Sequence, residues 1–202
     1  MYVSFFKLFK IGIGPSSSHT VGPINAANSF IQELLSSGII KEKIKRLNIH
    51  LYGSLALTGK GHGTDLGLVA GLLGYKPNNV NIFDIRSYIN KNKNTIDIES
   101  LDINFDLNKD LIFDYKSNTD AAYSNKMIFS AFGVKRDFPL LSKTYYSVGG
   151  GFVLEDSDTR EEKKDKVTYS YDSAKELLEI GSSNDLSITD IVLKNEQDLA
   201  KD

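Results

Sequence analysis

Three features of the 202-residue chain predict an α+β domain, with helices packed on a mixed, largely antiparallel sheet. Apolar residues recur at helical spacing in two early stretches, and a strand-like alternating run lies between them. From about residue 80 to residue 148 the pattern changes to short extended runs separated by turn residues. This order, a βαβα-like start followed by strands, favours helices gathered on one side of the sheet. With 41% hydrophobic and 25% charged residues, the chain can bury a core of ordinary size.

The elements follow in order. Met1 to Ile13 mixes Phe with Lys7 and Lys10. It has neither the apolar core of a signal peptide nor the roughly 20 apolar residues of a membrane span, so a cytoplasmic protein without membrane contact is expected. Gly12 to Pro23 is dense in Gly, Pro, Ser and Thr and reads as a structured loop. Ile24, Ala27, Phe30, Ile31, Leu34 and Leu35 then predict a helix that stops at Gly38. Ile44 to Tyr52 alternates, with Leu47, Ile49 and Leu51 on one face of a strand. A Gly-rich loop is expected over Gly59–Gly63, with Thr64 or Asp65 capping the next helix. On that helix Leu66, Val69, Leu72 and Leu73 form the stripe, and Gly67 and Gly71 allow close packing. Extended runs follow at Val80–Ile85, Ile96–Leu107, Leu111–Tyr115, Met127–Phe132 and Thr144–Val148, with turns at 92–94 and at Asn108-Lys109-Asp110. Glu155 to Lys166 has no large apolar residue and reads as a linker. Ala174, Leu177, Leu178 and Ile180 then predict one helix, and Ser187-x-x-Asp190 opens another as a capping box.

Charge and cysteine count narrow the chemistry. A net charge of −2 argues against nucleic-acid binding through a strong positive field, and Lys41, Lys43, Lys45 and Arg46 read as a solvated face. The absence of cysteine removes disulfides, thiolate nucleophiles and any thiolate-held zinc or iron–sulfur site within these residues.

Three segments remain as candidates. Ser16, Ser17, Ser18 and Thr20 stand before a helix, where hydroxyl and N–H donors suit a carboxylate or phosphate; an elaborate helix cap is the plain alternative. His19 lies among them. Lys60 and His62, set among Gly59, Gly61 and Gly63 and followed by Thr64 and Asp65, fit general acid–base work or an ordinary surface loop. Ser147 with Gly149, Gly150 and Gly151 forms either a tight turn or a nest of N–H groups for an anion. His50, inside an alternating strand, reads as structural, and no carboxylate spacing supports a metal at His19 and His62.

The stretches Lys10 to Pro23 (with Gly14-Pro15-Ser16-Ser17-Ser18-His19-Thr20), Tyr52 to Ala56, Thr58-Gly59-Lys60-Gly61-His62-Gly63-Thr64-Asp65 and Tyr145 to Phe152 resemble the β domain of the iron–sulfur L-serine dehydratases, or L-serine ammonia-lyases. The resemblance covers about residues 3 to 155, and Tyr171 to Leu178 with Leu186 to Glu196 resemble the opening helices of that family's second domain. It implies a division into a β domain at 1–155, a linker at 156–170 and the truncated start of the α domain at 171–202. It implies a fold like the allosteric substrate-binding domain of phosphoglycerate dehydrogenase. It also implies conversion of L-serine to pyruvate and ammonia, with a [4Fe–4S] cluster held by the missing α domain or α subunit, and a homo-oligomeric intact enzyme. In that light Ser16, Ser17, Ser18 and Thr20 would hold the substrate carboxylate. His62 would be the base with His19 beside it; Lys60, Thr64 and Asp65 would shape the second loop; and Ser147, Gly149 and Gly150 would line the rim.

The family's His-Pro-Asn-Gly-Met stretch stands here as Tyr123-Ser124-Asn125-Lys126-Met127. Asn125 keeps its place as a binding residue, whereas Tyr123 replaces the histidine. Without the cluster domain the isolated chain is expected to be inactive. The competing readings are a regulatory module binding a small amino or hydroxy acid, and a degenerate remnant.

Overall fold

The computed structural model describes residues 4–8, 11–39, 44–92, 95–98, 103–116, 124–134, 138–156 and 167–200. In chain order the elements are α1 (Phe5–Leu8), α2 (Val21–Ser36), β1 (Ile44–Leu51), α3 (Ser54–His62), α4 (Thr64–Leu72), α5 (Ile82–Lys91), β2 (Thr95–Ile98), β3 (Ile103–Asp106), β4 (Leu111–Phe113), β5 (Lys126–Gly133), β6 (Leu141–Gly149), β7 (Phe152–Glu155), α6 (Ala174–Asn184) and α7 (Ile188–Leu199). They divide into two compact units. The larger runs from Lys10 to Asp158, and the smaller joins the first nine residues to those from Thr159 onward.

The larger unit is built on a five-stranded sheet of order β4-β1-β5-β6-β7, with a separate β2–β3 hairpin. Only the β1–β4 pair is parallel; β1–β5, β5–β6 and β6–β7 are antiparallel. This is the α+β arrangement with a mixed, largely antiparallel sheet that the sequence predicts. The alternation of β1 buries Leu47, Ile49 and Leu51, and its register sets them opposite Ala131, Phe129 and Met127 of β5. The side chains of α2 complete this core: Phe30 packs on Phe129 at 5.3 Å between ring centroids, and Tyr145 meets Phe129 edge-on at 5.5 Å. Leu35, at the end of the α2 stripe, faces solvent instead. Lys143 of β6 pairs with Glu33 of α2 and Glu155 of β7, tying helix to sheet.

Past its first turn α4 is apolar and interior, with Leu66, Leu68, Val69, Ala70 and Leu72 buried, as expected of a helix with neighbours all round. Its glycines set the spacing to α2. A Cβ on Gly71 would fall 2.5 Å from the Ile24 carbonyl oxygen, and one on Gly67 3.0 Å from that of Thr20.

The structure corrects two expectations. Gly59 to His62 is not a loop but the last turn of α3; the break is confined to Gly63, whose φ of 79° caps α3 and precedes α4 without any side-chain cap from Thr64 or Asp65. Val80–Ile85 is not a strand. The Asn81 side chain accepts from the Phe83 N–H and starts α5, which buries Ile85 and Ile89 at i,i+4. The three glycines form a tight turn, one of the two alternatives for that segment: Gly149, Gly150 and Gly151, all with positive φ, turn β6 back into β7.

In the smaller unit, the Ser4 hydroxyl and the Phe5 N–H both donate to the Glu196 carboxylate, each at 2.8 Å. The capping box at Ser187 and Asp190 is present, and Ile191 is buried. Most of the expected linker, together with Tyr123, Lys41 and Lys43, lies outside the described residues.

Candidate functional site

Two segments converge on a pair of imidazoles. The first is the turn ahead of α2, where the His19 N–H donates to the Ser16 carbonyl (3.1 Å), the Gly22 N–H to that of Ser17 (2.9 Å), and the Thr20 hydroxyl to Ser16 again (2.9 Å). The second is α3. Its residues Ser54, Thr58 and His62 recur every four positions and so share one helix face. His19 reaches across to that face: Nε2 lies 3.2 Å from Ser54 Oγ and 3.1 Å from Thr58 Oγ1. On its other side Nδ1 lies 3.0 Å from Ser18 Oγ and 3.3 Å from Ser16 Oγ. The His62 ring sits 4.8 Å from that of His19 between centroids.

Gly14 makes the convergence possible, because a Cβ there would stand 3.0 Å from the His62 carbonyl oxygen and 2.5 Å from Thr20 Cγ2. The sheet braces both segments. The Ser54 N–H donates to the Ser124 carbonyl, the Ser147 N–H to that of Asn125, and the Asn125 amide back to the Ser147 carbonyl.

The His62 hydrogen bond fixes what that ring can do. Its Nδ1 faces the Thr58 carbonyl at 2.9 Å, and a carbonyl only accepts. Nδ1 therefore carries the proton, and in the neutral ring the lone pair lies on Nε2. His62 is half-buried and keeps one open side. His19 is 7% exposed. Burial, and then the neighbouring His62, lower its pKa from the usual imidazole value against a smaller upward pull from a hydrogen bond with the Ser54 backbone. His50 is apart from this group, stacked on Tyr52, as its strand position suggests.

Among the other candidates, Ser17 is half-buried in the same turn as Ser16 and Ser18. Thr20 and Thr64 are fully buried: Thr20 braces the turn, and Thr64 packs against Gly59. Lys60 and Asp65 do not join the histidines. Because Gly59 to His62 is helical, Lys60 and His62 point about 160° apart, to nearly opposite faces. Lys60 lies over the Phe113 ring at 5.2 Å, and with Asp65 and Arg86 it lines a separate cavity of about 330 Å³. There burial raises the pKa of Asp65, partly offset by hydrogen bonds and by Lys60 and Arg86.

Ser147 is buried against Gly22 with its hydroxyl lacking a partner, as does the Asn125 carbonyl oxygen. Gly149 and Gly150 form the β6–β7 turn, which Asn25 fastens by donating to the Gly151 carbonyl at 2.9 Å. Ser54 and Thr58 join this group of side chains although no sequence motif singles them out; their four-residue spacing to His62 is the available signal. An iron–sulfur cluster does not fit these residues. There is no cysteine, and no group of three potential metal ligands exists among the described residues.

An α+β domain that holds two hydroxyl-lined imidazoles at the meeting of two helices has the makings of an acid–base site for a small polar molecule. Residues 4–158 match the family model described as the serine dehydratase beta chain. The chain is 38% identical to an L-serine dehydratase of Haemophilus influenzae over 200 residues, 41% identical to the L-serine dehydratase TdcG of Escherichia coli over 200, and 40% identical to an L-serine dehydratase of Helicobacter pylori over 203. These alignments cover 96–97% of this chain but 43% of each relative, so the chain spans less than half their length. The chain belongs to the serine dehydratase beta chain family.

Proposed function

We propose that this chain is the substrate-facing part of an L-serine ammonia-lyase, with His62 as the base that removes the α-hydrogen of L-serine. The observation that carries this reading is the bond from His62 Nδ1 to the Thr58 carbonyl, which leaves Nε2 as the only ring atom able to take a proton. The serine turn 16–18 grips the amino acid beside it. Transfer of the α-hydrogen to Nε2 frees the C–H electron pair to form the Cα–Cβ double bond as the Cβ–O bond breaks, and the departing hydroxide takes the proton from the imidazolium to leave as water. The resulting enamine tautomerises to an imine, and water hydrolyses that to pyruvate and ammonia. The neutral, buried His19 keeps a second cation away from His62, so the newly charged ring is not opposed by its neighbour.

The [4Fe–4S] cluster, the remainder of the α domain or the subunit that holds it, homo-oligomeric assembly and a cytoplasmic setting belong to the same reading; the cluster ligands lie outside these 202 residues, which contain no cysteine. The segment from Tyr171 onward is assigned to the start of that α domain.

The test is a hybrid in which this chain replaces the matching segment of the Escherichia coli relative, purified anaerobically and assayed for pyruvate from L-serine. The hybrid is expected to turn over and the 202-residue chain alone is not. A folded, cluster-loaded hybrid without turnover, or turnover by the chain alone, overturns the reading.

A further inference from the structure

One residue touches both imidazoles. Thr58 meets His19 through its hydroxyl, 3.1 Å from Nε2, and His62 through its carbonyl, 2.9 Å from Nδ1. The hydroxyl has one proton, and it lies 2.9 Å from the Ser54 carbonyl, one helical turn back. That carbonyl has nothing to donate, so this contact is a hydrogen bond only when Thr58 supplies the proton. The hydroxyl then meets His19 with its lone pairs, and Nε2 must carry the hydrogen for the second contact to be a bond as well. Nδ1 of His19 is left as an acceptor, and the Ser18 hydroxyl at 3.0 Å, nearer than that of Ser16 at 3.3 Å, donates to it. A directed chain results: Ser18 O–H to His19 Nδ1, His19 Nε2–H to Thr58 Oγ1, and Thr58 O–H to the Ser54 carbonyl. Burial of His19 and the nearness of His62 keep the ring neutral, the state in which such an assignment has meaning.

We propose that Thr58 is a positioning residue that sets the proton location on both histidines, holding His19 as the Nε2–H tautomer through its side chain and His62 as the Nδ1–H tautomer through its backbone. The two rings, 4.8 Å apart, thereby carry opposite tautomers. This deepens the serine-lyase reading and rests on it for its catalytic meaning. The bare Nε2 of His62 and the committed proton of Ser18 are both consequences of one helical turn. A ring held in one tautomer by a neighbour that is itself oriented is the arrangement by which other histidine sites fix which nitrogen is basic.

The test reads proton positions directly and needs no turnover. The full chain, labelled with nitrogen-15 in its three histidines, is studied by two-bond nitrogen–proton correlation well above the ordinary imidazole pKa of about 6.5. In the parent, His19 is expected as a single Nε2–H species and His62 as a single Nδ1–H species, the less common form in water. In Thr58→Val the carbonyl stays and the hydroxyl goes. His62 is expected to keep its signature while His19 shifts to averaged or Nδ1–H values, since Ser54 alone can donate or accept. Thr58→Ser, which keeps the hydroxyl, restores the parent pattern. A folded parent with His62 protonated on Nε2, or a valine variant whose His19 is unchanged, overturns the proposal. Either result leaves the hybrid's pyruvate assay to judge the serine-lyase reading separately.

Discussion

Gly14→Ala is the sharpest probe of the packing that brings the serine turn against α3. The new methyl would stand 2.5 Å from Thr20 Cγ2 and 3.0 Å from the His62 carbonyl oxygen. Ordinary contacts begin near 3.4 Å, so the turn must recede by roughly an ångström from one neighbour and a few tenths from the other. Thr20 cannot yield by rotating, because it is fully buried and its hydroxyl is held by Ser16. Overpacking of this kind costs about 1–3 kcal/mol, and the stiffer unfolded chain returns about 0.4–1. A net loss of about 0.5–2 kcal/mol corresponds to a fall in Tm of about 2–6 °C for a chain of this size. Gly61→Ala is the control. It is exposed, lies within α3 and would have nothing within 4 Å of its new methyl group, so alanine is expected to add up to about 1 kcal/mol through helix propensity. Thermal unfolding followed by circular dichroism gives both shifts, and imidazole chemical shifts report whether the rings separate. A Gly14→Ala protein as stable as its parent, with unmoved His19 and His62 resonances, would refute the close approach.

Two further outcomes follow from the same structure. His19 and His50 both have pKa values lowered mainly by burial, so below about pH 6.5 the unfolded chain takes up protons that the folded rings resist. Stability is therefore complete above that pH and is lost on acidification towards the folded values; urea midpoints are expected to drop there, and less steeply in His19→Gln and His50→Gln. Lys143→Met leaves Glu33 and Glu155 facing each other without their shared cation. About 1–2 kcal/mol of destabilisation is expected after allowing for partial solvent exposure, measured as a lowered urea midpoint that recovers in Lys143→Arg.

Much of this architecture was legible because its signals are local. The alternation of Leu47, Ile49 and Leu51, the stripe from Ile24 to Leu34 and the capping box at Ser187 each depend on neighbours within one element. Gly67 and Gly71 read correctly as close-packing positions because a glycine at helical spacing has few other uses. Gly59–Gly63 misled for the opposite reason. Three glycines in five residues suggest a loop, yet Gly59 is needed where α3 meets Thr64 and Phe113, a tertiary demand that leaves no local mark. That misreading put Lys60 and Asp65 beside His62 and hid Ser54 and Thr58, whose role appears only once the stretch is wound into a helix. Val80–Ile85 failed similarly, since a short apolar run suits either period until Asn81 is seen as a cap. His19 and His62 were paired from their motifs; their 4.8 Å separation depends on contacts between segments 43 residues apart in number.

The role of His62 is tested most directly by His62→Ala in the hybrid enzyme, with steady-state pyruvate formation measured across L-serine concentration. Loss of the proton acceptor is expected to lower kcat by about 100-fold or more while KM changes little. A variant that keeps its parent's kcat and merely needs more serine would make His62 a binding group, and the assignment of Nε2 as the base would be wrong.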